Sequence, residues 1–90
     1  DIAILLFEGI TALDAIGPYE VLSRIPDIQI RFVATQAGPI KTHNQMCTLV
    51  ADFALSEVSK PEVVVIPGGW GTDELMKDDR ILSWIRSVHE

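Results

Sequence analysis

The sequence predicts an α/β layered fold with a mainly parallel sheet. Three observations predict it. Ile2–Phe7 is an unbroken apolar run rich in β-branched residues, and Val63–Ile66 is a second. Runs of this kind, too short for helices of their own, are what strands covered on both faces carry. The third observation is order: strand, helix, strand, hairpin, strand, helix.

The elements follow in sequence. Ile2–Phe7 is the first strand, and Glu8-Gly9-Ile10 turns the chain. Thr11 offers a helix N-cap, with Asp14 in capping-box position three residues later. Gly17-Pro18 should break this helix. Proline lacks an amide hydrogen, and its ring crowds the carbonyl four residues back, that of Asp14. One turn is expected at Thr11–Ile16, then a fresh start at Pro18, with Val21, Leu22 and Ile25 as the buried stripe and Pro26-Asp27 as the stop. Ile28–Thr35 alternates as a half-exposed strand near a sheet edge. Gly38-Pro39 turns into a hairpin, with Ile40–Thr42 pairing with Met46–Val50 across His43-Asn44-Gln45. Ala51–Lys60 is a connection with a short helical turn. Val63–Ile66 should be a strand buried on both faces. Thr72 or Asp73 caps a short helix through Met76. Asp79 caps a longer one, with Ile81, Leu82, Ile85 and Val88 on one face.

Composition excludes several function classes. The net charge of −6 argues against sequence-independent nucleic-acid binding and against docking on an anionic membrane. No apolar run approaches a membrane span. One cysteine allows no internal disulfide framework and fits a reducing compartment, so the cytoplasm is expected. The sequence opens at Asp1 on strand-like residues with no signal-peptide pattern, and the lack of a starting methionine leaves open a start that is trimmed or disordered.

Two segments carry candidate chemistry. Ligands of open α/β sheets bind beyond the carboxyl ends of the strands, where both segments fall. Asp14 has two readings: a capping acid on the first helical turn, or a carboxyl that moves a proton at the mouth of a site. Pro67-Gly68-Gly69-Trp70-Gly71 also has two. It is a tight turn needing glycine for positive φ, or a set of free amides able to bind an oxyanion. A dinucleotide loop fits poorly, because Glu74 stands where the last glycine belongs. Cys47 sits in the hairpin and lacks an electropositive setting, so it reads as a small hydrophobe. His43 and His89 lack metal-ligand spacing. Glu8 and Glu20 read as solvated acids, and Asp73-Glu74 and Asp78-Asp79 as helix starts.

Leu5-Leu6-Phe7, Leu13-Asp14-Ala15-Ile16-Gly17-Pro18-Tyr19-Glu20-Val21-Leu22 and Val65-Ile66-Pro67-Gly68-Gly69-Trp70-Gly71 together resemble the ThiJ/PfpI family of the class I glutamine amidotransferase-like superfamily. The Leu-Asp-x-x-Gly-Pro form looks most like the isonitrile hydratase branch and related regulator domains. The resemblance implies a flavodoxin-like sandwich, of which residues 1–90 are the N-terminal part. It implies a nucleophilic cysteine on a strand-to-helix elbow beyond Glu90. It assigns Asp14 to the acid facing that cysteine, Gly68 and Gly69 to backbone donors near the reacting atom, and Trp70 to substrate access. It also implies a small-molecule substrate, a homodimer, and chemistry needing no metal or organic cofactor. The readings left open are an isonitrile hydratase, a family hydrolase, and the ligand-sensing domain of a helix-turn-helix regulator. Without a further βα unit, the strand at Val63–Ile66 is expected to present an unpaired, aggregation-prone edge.

Overall fold

A computed structural model of the chain describes residues 1–68 and 77–89. Nine elements appear in order. They are β1 (Ile2–Leu5), α1 (Ala12–Leu22), β2 (Ile30–Ala34), β3 (Gly38–Lys41), β4 (Thr48–Ala51), β5 (Phe53–Ala54), a 3-10 turn (Leu55–Glu57), β6 (Val63–Val65) and α2 (Asp79–His89). Four strands make a parallel sheet in the order β5-β2-β1-β6. The expected layered α/β fold with a parallel sheet is present.

β1 is the centre of this sheet. It pairs with β2 from Ile2↔Ile30 to Leu5↔Val33 and with β6 from Ile2↔Val63 to Ile4↔Val65. Every residue from Ile2 to Phe7 is buried, as its unbroken apolar run predicts. β3 and β4 form the expected hairpin, antiparallel from Gly38↔Ala51 to Lys41↔Thr48, but Gly38 and Pro39, expected as the turn before it, are the first residues of β3, and Met46 lies outside β4. Its turn places Gln45 at φ 65.

Several expectations change. The Gly17-Pro18 break does not occur, and α1 runs continuously with Pro18 inside it. Proline removes only its own bond to the Asp14 carbonyl, a penalty of about 3 kcal/mol. The helix is anchored on both sides of that point, by Ala15, which is fully buried, and by Leu22, which packs on the core. Its phase is therefore set from Ala12 rather than from Pro18. Ala15, Tyr19 and Leu22, at i, i+4 and i+7, form the inner line, and the Tyr19 ring lies 5.4 Å from that of Phe32. Of the expected stripe only Leu22 packs; Val21 is 69% exposed and Ile25 is also exposed. The helix ends at Leu22, where Arg24 and Ile25 donate to carbonyls three residues back.

β2 lies one strand in from the edge of the sheet, near the edge as expected, and β5 pairs with it at Val33↔Phe53 and Ala34↔Ala54. Ile30, Arg31 and Phe32 are half-buried, while Val33 and Ala34 are both buried despite the alternating pattern. The two-residue β5 is too short to leave a periodic signal in the sequence. β6, read as buried on both faces, is the outermost strand, and Val63 and Ile66 are each 48% exposed. Its outer side has no neighbour among the described residues, as expected for Val63–Ile66 without a further βα unit.

α2 is capped one residue earlier than expected, and Asp79 is its first residue. The Asp78 carboxylate, rather than that of Asp79, accepts the Arg80 amide at 3.0 Å. The Arg80 guanidinium also bonds that carboxylate, and together these bonds hold Asp78 below the ordinary carboxylate range. Ile81 is buried on the expected face, but the principal anchor is Trp84. Its indole N–H donates to the Val58 carbonyl at 2.6 Å in a buried setting. The expected short helix from Thr72 or Asp73 through Met76, and the acids Asp73 and Glu74, lie outside the described residues.

Trp84→Phe keeps an aromatic ring but leaves the Val58 carbonyl buried without its donor. A loss of about 1–3 kcal/mol in the stability of the full-length protein is expected by urea denaturation. An unchanged midpoint would show that this bond does not hold α2 to the sheet.

Candidate functional site

The loop leaving β1 is held from two sides. On one side lies the hairpin. The Gly9 amide donates to the Lys41 carbonyl at 3.1 Å, and the His43 amide to the Ile10 carbonyl at 3.1 Å. The Glu8 carboxylate accepts the Lys41 amide at 3.3 Å. Ile10 and Thr42 form a parallel bridge, and both are buried. The Thr42 hydroxyl is satisfied by the Asn44 side-chain oxygen at 2.8 Å. Glu8, read from sequence as a solvated acid, is exposed yet serves as an acceptor for the hairpin. Its position one residue after an apolar strand held no signal for this.

On the other side lies the end of β6. The Thr11 amide donates to the Gly68 carbonyl at 3.1 Å. This bond decides between local roles for Asp14. In a capping box the Asp14 carboxyl would accept the Thr11 amide, but here that amide is turned to Gly68. Thr11 occupies the N-cap position with extended backbone (φ −87°, ψ 116°) and makes no side-chain capping bond. The capping box is therefore not formed. Asp14 still places a negative charge in the first helical turn, where the helix dipole favours it. Its carboxyl is free of the capping task and exposed.

That carboxyl sits against Gly68. A Cβ added to Gly68 would lie 3.2 Å from Asp14 Oδ2. Two segments separated by more than fifty residues thus meet at the carboxyl ends of adjacent parallel strands, as expected for a site in this class of sheet. Gly69, Trp70 and Gly71 lie outside the described residues. Beside this junction an open cleft of about 520 Å³ runs over the ends of β1 and β2. Leu6, Phe7, Ala34 and Ile40 supply apolar walls, with Glu8 and Arg80 among the polar ones. Asp14 does not line it.

The remaining candidates lie on the hairpin and on the outer side of α1. Cys47 is exposed on the hairpin. His43 is exposed at the hairpin turn, and Glu20 is exposed beside Arg24 at 3.8 Å. Among the described residues no group of three or more His, Cys, Asp or Glu side chains is placed to hold a metal ion. No described helix is long and apolar enough to cross a membrane.

A model of the DJ-1/PfpI family matches residues 1–90. The chain belongs to the DJ-1/PfpI family. An isonitrile hydratase of Pseudomonas putida is 35% identical over 86 residues, covering 96% of this chain and 37% of that protein. A ThiJ/PfpI family protein from Pseudomonas syringae superposes with a TM-score of 0.89 at 24% identity, over 96% of this chain and 36% of that one. A cysteine-to-alanine variant of a DJ-1 superfamily protein from Salmonella typhimurium gives 0.86 at 25% identity, over 98% and 49%. An AraC family transcriptional regulator from Pseudomonas putida gives 0.68 at 17%, a likeness of fold, over 98% and 51%. The chain therefore spans about half or less of the length of these relatives, and the flavodoxin-like architecture expected from sequence is the one they share.

Cys47 lies away from the Asp14–Gly68 junction in the hydrogen-bond framework and has no cation described beside its thiol. Cys47→Ser in the full-length protein is expected to leave stability within about 0.5 kcal/mol by urea denaturation, as exposed surface substitutions do. A larger loss would show that the thiol takes part in packing.

Proposed function

We propose that this chain is the N-terminal half of a cysteine-dependent enzyme that adds water to an isonitrile to give an N-substituted formamide. The observation that carries the reading is the junction of Asp14 with Gly68 at the carboxyl ends of β1 and β6. The 35% identity with an isonitrile hydratase supports the choice of reaction.

The proposed chemistry balances as follows. A thiolate from a cysteine beyond Glu90 adds to the terminal carbon of the isonitrile, and that carbon takes one proton. The product is a thioimidate. Water adds to its carbon, a proton passes to nitrogen, and the carbon–sulfur bond breaks to return the thiolate. The net change is addition of one water. Asp14 delivers the proton to carbon and takes one from the attacking water. Amides of the Gly68-Gly69 turn stabilise negative charge that develops on the substrate. Trp70 shapes substrate access, and no cofactor enters the scheme. The single cysteine of this segment fits a reducing, cytoplasmic setting.

A ligand-sensing domain of a transcriptional regulator is the alternative. The two are separated by assay of the full-length protein with aliphatic isonitriles, following formamide by NMR. Asp14→Ala is expected to lower kcat by about 10²- to 10⁴-fold, the usual range for a general acid–base group. Its thermal midpoint should barely move, because Asp14 is exposed and such substitutions usually stay within about 0.5 kcal/mol. Wild-type protein that binds isonitriles without turning them over would favour the sensor. Undiminished turnover in Asp14→Ala would remove the acid from the mechanism.

A further inference from the structure

Glycine at position 68 has no conformational cause. Gly9 and Gly38 adopt positive φ, at 85° and 140°, but Gly68 does not. The expectation that this turn uses glycine for positive φ therefore fails at Gly68, and its backbone admits an L side chain. Space around it is also open. Gly68 is exposed. Among the described residues, leaving aside its chain neighbours, the one heavy atom within 4 Å of an added Cβ is Asp14 Oδ2, at 3.2 Å. That separation is tighter than ordinary van der Waals contact, so a methyl group would require the carboxylate to give by a few tenths of an ångström.

We infer that Gly68 is a positioning residue for Asp14. The hydrogen it carries in place of a side chain leaves the space in which the Asp14 carboxylate sits. The bond from the Thr11 amide to the Gly68 carbonyl keeps the start of α1 and the end of β6 at that spacing. This role is separate from any donation by backbone amides in the turn, because a side chain at position 68 removes no amide. The inference rests on the acid role proposed above. It adds that the reach of the acid is set sterically from across the sheet. Displacements near 1 Å at a reacting group cost about 100-fold in rate, so a modest intrusion has a measurable effect.

The test is a double-substitution cycle in the full-length protein, with Gly68→Ala, Gly68→Val, Asp14→Ala and the double variants. The expected result is a graded fall in kcat, about fivefold for Gly68→Ala and about 50-fold for Gly68→Val, with KM within about twofold. In the Asp14→Ala background the same substitutions should cost less than about twofold further, since the group they displace is gone. A merely structural role would lower activity by the same factor in both backgrounds, and that result overturns the inference. Crystal structures of wild type and Gly68→Val give a readout independent of substrate. A carboxylate moved away from position 68 supports the inference even where wild type does not hydrate isonitriles, an outcome that would defeat only the proposed reaction. A carboxylate left in place overturns it.

Discussion

The structure depends on β1 being paired in parallel on both sides. A strand with two parallel neighbours has its backbone donors and acceptors used along both edges, and its side chains must then be apolar on both faces. Ile2–Phe7 meets that demand with six consecutive buried residues. Placing β1 between β2 and β6 also fixes what its carboxyl end meets. The hairpin following β2 and the segment following β6 converge on the loop of residues 8–11. That loop has little freedom, because its backbone is bonded to Lys41 and His43 on one side and to Gly68 on the other. The start of α1, and with it Asp14, is positioned by sheet order rather than by contacts of its own side chain.

This dependence explains which parts of the fold were legible in the sequence. β1 was, because burial on two faces leaves a run that nothing else of its length produces. The hairpin was, because two short β-prone runs flank the turn residues His43-Asn44-Gln45. α2 was, because its apolar residues keep helical spacing. The features that were misread depend on neighbours distant in sequence. Val33 and Ala34, consecutive in an alternating run, are both buried where β5 pairs from twenty residues later. The run at Val63–Ile66 was read as buried on both faces, and it is not, because composition records how apolar a strand is and not what covers it; its place at the outside of the described sheet is the one expected without a further βα unit. Pro18 was read as a break because local energetics oppose it, and tertiary anchoring of Ala15 and Leu22 outweighs that opposition.

The site divides in the same way. The carboxyl-end rule placed Asp14 and the Pro67–Gly71 turn near each other from chain order alone. It could not choose between a capping acid and a free one, because both readings need the same residue at the same position. The choice turned on the partner of the Thr11 amide, a contact spanning 57 residues. Nor could the sequence separate a glycine required by φ from one required by a neighbour, since both are written with the same letter.

The exposed surfaces follow from the same arrangement. Leu13, 74% exposed, and Val21 lie on α1 away from the inner line of Ala15, Tyr19 and Leu22, while Val63 and Ile66 are exposed on β6. These flank the two elements that carry Asp14 and Gly68. A carboxylate in contact with bulk water transfers protons to water more readily than to a substrate carbon, and catalytic sites gain by excluding that competitor. The proposed chemistry therefore requires a water-excluding cover over the junction of α1 and β6. A cover seated on the neighbouring apolar residues would bury them and enclose Asp14 at once. The burial would add stability at roughly 25 cal/mol per Å² of apolar surface, and the enclosure would strengthen every hydrogen bond to the reacting group.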